Sequence, residues 1–511
     1  MSNDALGNVY VTGYFISPTV IFDDDTLTNS SQEHDIFLVK YNDNGDVIWS
    51  RSIGGDDHDT PYSVDVDVNG NVYIAGFNGS SELIFNNDTL VSTGNTDVLL
   101  CKFDANGNKL WARGAKGNDA DEATSVTTDN SGNIYITGNF RSSSIIFGTD
   151  TLDYTSISGS MFVVKYKPDG NIIWAKRFGG SSQDKAYSIT ADANGNIFFG
   201  GTYKSPYISF DSDTIHNNSN NGYSDIFLTK LDTAGNVLWA KSAGNYSDER
   251  VKAITTDISG NIYVSGIFFS STFNLGTTTL VNSFLDRADV FTTKFNTSGQ
   301  VLWAKCAGGN NDDQLSAIAT DASENVIISM TYNSPSIKFG TFTFNNAGLY
   351  DGALAKYDKD GNFIWAKGIG GNIDDGAFAV AVNSLENIFT AGYYQSSVVV
   401  FDSLFITSPD TNYSTVYVAK LEAETTGEKN IEKQEFINVY PNPCNGIFTV
   451  ESTYIDNNSV LSVYNIFGDR IFFKVNPSIS EQVDISGYSR GIYLVKLETK
   501  NFFTVIKMIK E

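Results

Sequence analysis

Cysteine, histidine and proline are scarce in this chain. The three cysteines, Cys101, Cys306 and Cys444, are far apart and odd in number, so no disulfide framework or cysteine-based metal knuckle is visible. The three histidines, His34, His58 and His216, lack metal-ligand spacing. Positive charge is also short: 34 basic residues face 59 acidic ones, a net charge of −25. Such a surface repels phosphate backbones and anionic lipid, which argues against nucleic-acid and bilayer-surface partners. No apolar run approaches the ~18 residues of a transmembrane helix. The N-terminus, Met-Ser-Asn-Asp-Ala-Leu-Gly, shows neither a basic n-region nor an apolar h-region, so no signal peptide is present as written.

Aromatic and turn-forming residues are plentiful, and they recur in register. Apolar residues make up 41% of the 511 and aromatics 13%, enough for a large core and against global disorder. One segment recurs seven times: GNVYVTGYF at Gly7, GNVYIAGFN at Gly70, GNIYITGNF at Gly132, GNIFFGGTY at Gly195, GNIYVSGIF at Gly260, ENVIISMTY at Glu324 and ENIFTAGYY at Glu386. The mean step is about 63 residues. A second segment keeps that period, from FLVKYNDNGDVIW at Phe37 to ALAKYDKDGNFIW at Ala353, with a seventh copy at Tyr417 that stops before its turn. All six tryptophans, Trp49, Trp111, Trp174, Trp239, Trp303 and Trp365, occupy one slot in it.

Each unit reads as four short strands. A first strand such as Ala186–Asp192 meets a second such as NIFFGGTY across a Gly turn, and a third such as DIFLTKLD meets a fourth such as NVLWAKSA across another. Glycine supplies the positive φ that tight hairpins need. An extra F-x-x-x-T-L element, as in Phe22–Leu27, Phe85–Leu90 and Phe147–Leu152, lies between the second and third strands. Four-stranded units repeated in this way predict an all-β chain with a seven-bladed β-propeller over residues 1–420; a β-solenoid is the alternative. Glycine inside the second strand (Gly13, Gly76, Gly138, Gly201, Gly266, Gly392) predicts close backbone approach between blades. The second and third strand types occur seven times, the first and fourth six. First and last blades are therefore expected to be incomplete. The missing piece, equivalent to Gly45–Val68, is expected directly upstream, together with a signal peptide.

The unit DxxGNxYxxGxF…FxxKYDxxGNxxWAKxxGG resembles the bacterial β-propeller repeat called SBBP, a family defined by fold that implies no chemistry. Residues 421–435 are polar, charged and free of aromatics and read as a linker. Residues 436–511 then carry several alternating runs, expected to form a small Ig-like β-sandwich. Here YPNP-x-x-G-x-F (Tyr440, Pro441, Asn442, Pro443, Gly446, Phe448), VYN-x-x-G ending at Gly468, GIYLVKL with Gly491 and Tyr493, and the terminal Lys507 and Lys510 stand in order. This module resembles the type A C-terminal sorting domain of the type IX secretion system of Bacteroidetes. The resemblance implies export through that machinery to the outer-membrane surface or beyond, usually with removal of the domain. For individual motif residues, the expectation is that most build the sandwich.

Candidate chemistry in the repeats is sparse. The tryptophans sit mid-strand among apolar residues and are expected to pack between blades. After each WAK-x-x-GG loop one acid precedes the first strand: Asp59, Asp121, Asp184, Asp248 or Glu249, Asp313 and Asp375. A ring of these carboxylates at the channel would hold Ca2+ or a cationic ligand. The competing expectation pairs them with the strand lysines Lys40, Lys102, Lys165, Lys230, Lys294, Lys356 and Lys420, or with loop amides. Asp-Thr-Leu/Ile triplets at Asp25, Asp88, Asp150 and Asp213 resemble O-glycosylation acceptors of Bacteroidetes, though a turn followed by a strand is the favoured reading. No histidine lies in a repeat motif, and no nucleophile set or phosphate loop can be assembled. The expectation is a non-enzymatic surface protein whose propeller binds a glycan or protein ligand. The alternatives are a passive structural component or, less favoured, a glycan-active hydrolase.

Overall fold

The computed structural model describes all residues except 155–157, 212, 220–221, 402–403, 409–412, 423–436, 453–454, 456–458, 467 and 500–502. Most of the 421–435 linker lies outside the described residues. Among the described residues every regular element is a β-strand.

The repeats fold as the hairpin signals require. In the third copy, strands Asp121–Thr128, Ile134–Phe140, Ser160–Tyr166 and Ile172–Phe178 form one antiparallel sheet in chain order. The first hairpin turns at Asp129–Asn133: Gly132 N donates to Asp129 O, Asn133 N donates to Asp129 Oδ1, and Gly132 sits at φ 77°. The aspartate side chain thus imitates a backbone acceptor while glycine takes the left-handed conformation. Glu324 and Glu386 stand in the equivalent slot at φ 63°. An L side chain there carries a modest strain.

Seven sheets built on this pattern follow one another among the described residues, the fifth and sixth extended to six strands by the next copy's extra hairpin. In the first, a short strand, Ser2–Asn3, pairs with Val9 and Tyr10. The sequence gives no sign of this strand, because two residues carry no periodicity. The last has three strands, Asp375–Val382, Ile388–Tyr394 and Thr415–Leu421. Second and third strands such as Ile134–Phe140 and Ser160–Tyr166 are buried at every position. They are apolar on both faces because each sheet is covered by two others. The extra element is a hairpin, as in Thr19–Phe22 with Asp25–Thr28.

First strands of successive sheets meet around the axis. Ser63 Oγ accepts from Val126 N at 3.2 Å, Ser125 Oγ from Ile189 N at 3.2 Å, and Ser188 Oγ from Ile254 N at 3.0 Å. Farther out, Lys40, Lys102 and Lys165 donate to the turn carbonyls of Ala105, Pro168 and Thr233 in the next sheet at 3.3, 2.9 and 2.9 Å. Lys420 of the last sheet makes the same bond to Asp43 O of the first, at 2.8 Å. Phe389 and Ala391 share a buried cluster with Val9, Val11 and Phe37. The ring closes on itself.

The second-strand glycines correct one expectation. A Cβ on Gly138 would stand 2.0 Å from Glu122 O, and one on Gly201 1.9 Å from Lys185 O. Both carbonyls belong to the first strand of the same sheet. The close approach lies within a blade, where a bulge pushes that carbonyl over the glycine.

Residues beyond 436 form two sheets, of three and four strands. They enclose Phe448, Val450, Leu461, Val463, Val483, Tyr493, Val495, Leu497 and Met508.

Candidate binding site at the channel mouth

Asp59, Asp121, Asp184, Asp313 and Asp375 are at most 1% exposed, and each is held by its own blade. Asp184 accepts Gly180 N at 2.7 Å, Ser205 Oγ at 2.7 Å, and Lys204 N and Ser205 N at 3.1 Å. Ser80, Ser142, Ser334 and Ser396 play the serine part for Asp59, Asp121, Asp313 and Asp375. Glu249, not Asp248, fills the slot in the fifth copy, bonded to Asn245 N and Ser270 Oγ. Asp248 instead pairs with Arg250 at 3.3 Å and accepts from Ser224. The carboxylates are thus loop clamps whose oxygens are taken up by N–H and O–H donors, and burial, outweighing those donors, lifts Asp59 and Asp121 to about 6 and Glu249 to about 7. This corrects the expectation of an open acid ring for calcium. Among the described residues no group of three or more His, Cys, Asp or Glu gathers as metal ligands.

The lysine pairing also differs from expectation. Lys40, Lys294 and Lys356 pair with the turn aspartates Asp4, Asp257 and Asp321 at 3.4, 3.2 and 3.0 Å, not with the clamp acids. A second buried acid faces the clamp across each of five blade junctions: Asp35, Asp97, Asp225, Asp289 and Asp351 open the third strands. One oxygen of Asp35, Asp225, Asp289 and Asp351 is buried without a hydrogen-bond partner among the described residues. Burial pushes Asp225 and Asp289 up to about 6 and Asp313 and Asp351 up to about 7, the neighbouring acid adding to the last two. The GG of the WAK-x-x-GG loop now has a cause. A Cβ on Gly308 would stand 1.9 Å from Asp289 Oδ1, and one on Gly309 2.5 Å from Ser334 Cβ.

The tryptophans are wedges between blades. Trp303 Nε1 donates to Lys359 O at 3.0 Å, and its ring lies where a Cβ on Gly361 would be, 2.7 Å away. Trp49 and Trp111 repeat this on Gly107 and Gly170. The Asp-Thr-Leu/Ile aspartates hold the fourth strand: Asp25, Asp88 and Asp213 accept from Ser50 N, Ala112 N and Ala240 N at 2.9, 2.9 and 3.1 Å.

One set of positions breaks the repeat. The first strand is bulged at the third residue after its acid in all six copies that have it. The unpaired residue there is Tyr62, Thr124, Tyr187, Lys252, Ser316 or Phe378. A bulge frees one side chain from the ladder and aims it away from the sheet, here at the ring axis. Tyr62 and Phe378 are 49% and 56% exposed. Their neighbours extend the surface. Tyr62 OH donates to Glu122 Oε2 at 3.2 Å. Tyr14 stacks on His34 at 4.1 Å, and His34 meets His58 edge-on at 4.5 Å. Lys252 Nζ lies 5.5 Å from the Tyr187 ring centre. Burial, then Arg250 and Lys185, lower the Lys252 ammonium below its ordinary value. Burial and His58 lower His34. Aromatic faces alternating with polar and charged groups around a depression are the ordinary make-up of a ligand surface. These residues carry no recurring motif and so do not stand out along the chain. The signal was variation at one slot inside an otherwise regular strand.

In the C-terminal module the motif residues tie the two chain ends of the sandwich together. Asn442 Nδ2 donates to Lys507 O at 2.7 Å, and Ile509 N donates to Asn442 Oδ1 at 2.9 Å. The Tyr440–Pro441 and Asn442–Pro443 peptides are cis. Gly446 and Gly468 lie at φ 105° and 82°, where a side chain would be strained. Gly491 opens the strand Gly491–Glu498, Tyr493 is buried in the core, and Lys510 Nζ donates to Ile485 O and Ser486 O. Tyr440 is 47% exposed, and Lys507 is exposed too.

Residues 438–511 match the family described as secretion system C-terminal sorting domain, and residues 173–202 match the beta-propeller repeat family, SBBP. The chain is a β-propeller repeat protein with a type IX secretion sorting domain. Its sorting domain places this propeller protein among those secreted or carried to the cell surface, and implies contact with the type IX machinery. It is 23% identical over 508 residues to the uncharacterized WD repeat-containing protein L264 of Acanthamoeba polyphaga mimivirus, covering 82% of this chain and 36% of the relative. It is 25% identical over 312 residues to the regulatory protein FlaEY of Caulobacter vibrioides, covering 56% of this chain and 31% of that one. The chain thus spans about a third of the length of these curated relatives. Among solved structures, it is similar to the Neurospora crassa Pan2 WD40 domain (9% identity, 70% of this chain and 78% of that one, TM-score 0.34). It is likewise similar to Sqt1 from Chaetomium thermophilum (10% identity, 83% and 95%, TM-score 0.38).

Proposed function

We propose that the propeller is a non-enzymatic binding module, exported by its sorting domain to act at the cell surface, and that it binds at the channel mouth. One observation carries this reading: the bulged residue of each first strand changes from copy to copy, while the acid, serine, lysine and tryptophan around it recur because they build the ring. Selection for packing alone would favour the same residue at equivalent bulges, whereas exposed Tyr62 and Phe378 leave apolar area in water that a ligand would cover.

The second reading, a passive structural component, is favoured by the engagement of recurring acids and lysines within and between blades. A glycan and matrix-protein array separates the two. The intact chain is compared with a Tyr62→Ala, Tyr187→Ala, Phe378→Ala variant of unchanged circular dichroism. Discrete hits that disappear in the variant are expected. Hits that persist in the variant move the ligand elsewhere, and an empty array from folded protein moves the assignment to the structural reading. Assaying the hits for cleavage products tests the non-enzymatic part directly.

A further inference from the structure

The mouth is not uniform, and its asymmetry points to a ligand class. Between the fifth and seventh copies lies a depression of about 510 Å³, bordered by Lys252, Gln314, Ser316, Thr331, Phe378 and Tyr393. Its floor is open because Gly376 stands where the other copies have Thr60, Glu122, Lys185, Arg250 and Gln314. A Cβ there would meet the Tyr393 ring at 2.8 Å, Thr331 Oγ1 at 3.1 Å and the Phe378 ring at 3.4 Å. The hydroxyl of Thr331 is buried without a hydrogen-bond partner among the described residues. On one wall, Phe378 and Tyr393 stand with ring centres 5.1 Å apart. On the opposite wall is Lys252, with Lys185 and Arg250 close enough to depress its ammonium.

Three cations gathered at one mouth are exceptional in a chain of net charge −25. Arg250 is paired with Asp248 at 3.3 Å. Lys252 has no carboxylate partner among the described residues, only the Tyr187 ring. The other nearby acid, Glu122, accepts from Tyr62 and Asn139. An ammonium group without a carboxylate partner, beside a wall of ring faces and a row of amide and hydroxyl groups, is complementary to a molecule that is anionic, ring-bearing and rich in hydroxyls. Building on the binding role proposed above, we propose that this depression takes an acidic polysaccharide. A sugar ring lies on Phe378 and Tyr393, its hydroxyls meet Ser316 and Gln314, and its carboxylate or sulfate sits against Lys252, with Lys185 and Arg250 behind.

The test titrates the full chain with polygalacturonate, with dextran as neutral polymer and duplex DNA as an unrelated polyanion, at low and high salt. Expected is binding to polygalacturonate alone, weakened about tenfold or more by Lys252→Gln, by Phe378→Ala and by salt. Phe378 is exposed and Lys252 half-buried, so both variants keep the fold, which circular dichroism checks. Equal binding of dextran, or indifference to Lys252→Gln, overturns the acidic ligand. DNA binding as tight as polygalacturonate overturns the saccharide. If a different ligand found on the array loses affinity with Phe378→Ala but ignores both Lys252→Gln and salt, the mouth remains the binding surface and only the ligand class falls.

Discussion

Replacing Asp289 by asparagine should favour the fold more at pH 8 than at pH 4.5. Asp289 is fully buried at the junction of the fifth and sixth sheets. Its Oδ2 accepts Ser283 N at 2.7 Å, while its Oδ1 lies buried against Gly308 without a partner among the described residues. Asp313 and Cys306 are the titratable groups facing it. Burial lifts its carboxyl from 3.8 to about 6. A group raised in the folded state contributes stability that is present below the unfolded value of 3.8 and lost as pH climbs through about 6. A lift of roughly two units corresponds to about 3 kcal/mol. About 2 kcal/mol of that falls between pH 4.5 and 8, because at pH 4.5 the unfolded side chain is already mostly ionised. Asparagine keeps the acceptor for Ser283 and removes the charge, but leaves an amide donor beside Gly308, at a pH-independent cost of about 1 kcal/mol. The pH difference is therefore the cleaner quantity. Urea midpoints of the parent and Asp289→Asn chains at the two pH values measure it, and a cycle with Asp313→Asn isolates the coupling between the two acids. An effect that is equal at both pH values, or a greater loss at pH 8, would refute the account of these junctions as buried acid pairs.

Other outcomes follow from the same geometry. Gly308→Ala should cost about 3 kcal/mol or more in denaturant unfolding, because its Cβ would meet Asp289 Oδ1 at 1.9 Å; a neutral result would mean that the loop shifts freely. Trp303→Phe loses the bond to Lys359 O at 3.0 Å and part of the contact with Gly361, and should cost about 1–2 kcal/mol while hydrogen exchange rises on both sides of that blade junction. Asn442→Ala should lower the melting temperature of the C-terminal module, since it breaks both bonds to the last strand. EDTA should leave the propeller's unfolding curve unchanged, since the clamp acids are held by N–H and O–H donors; a shift would restore the calcium expectation.

Much of this molecule was legible along the chain. The period of about 63 residues, the single tryptophan slot and the paired Gly turns encode local hairpins and a burial pattern, both short-range properties, and the sheets formed where they pointed. The sorting module was legible for a similar reason: its turns and alternating strands stand in a fixed order near residue 511. The acids were legible as a recurring set but not in their role. Whether a carboxylate faces a channel or a cradle of amides depends on a serine about twenty residues later, such as Ser205 for Asp184. The serine keeps a constant distance along the chain from its acid in every copy, but that spacing does not say that the two side chains meet.

The sequence by itself thus determined the blade, its hairpins and the attached module, because each rests on contacts between near neighbours in the chain. Only the tertiary structure decided which side chains the ring encloses and which it leaves at its mouth. Closing the sheets into a circle buries Asp289, Trp303 and Lys40 between blades. The same closure gathers Tyr62, Tyr187, Lys252 and Phe378, spread over more than three hundred residues, onto the bulges around one axis. That gathering is set by the curvature of the whole ring, which no single repeat contains.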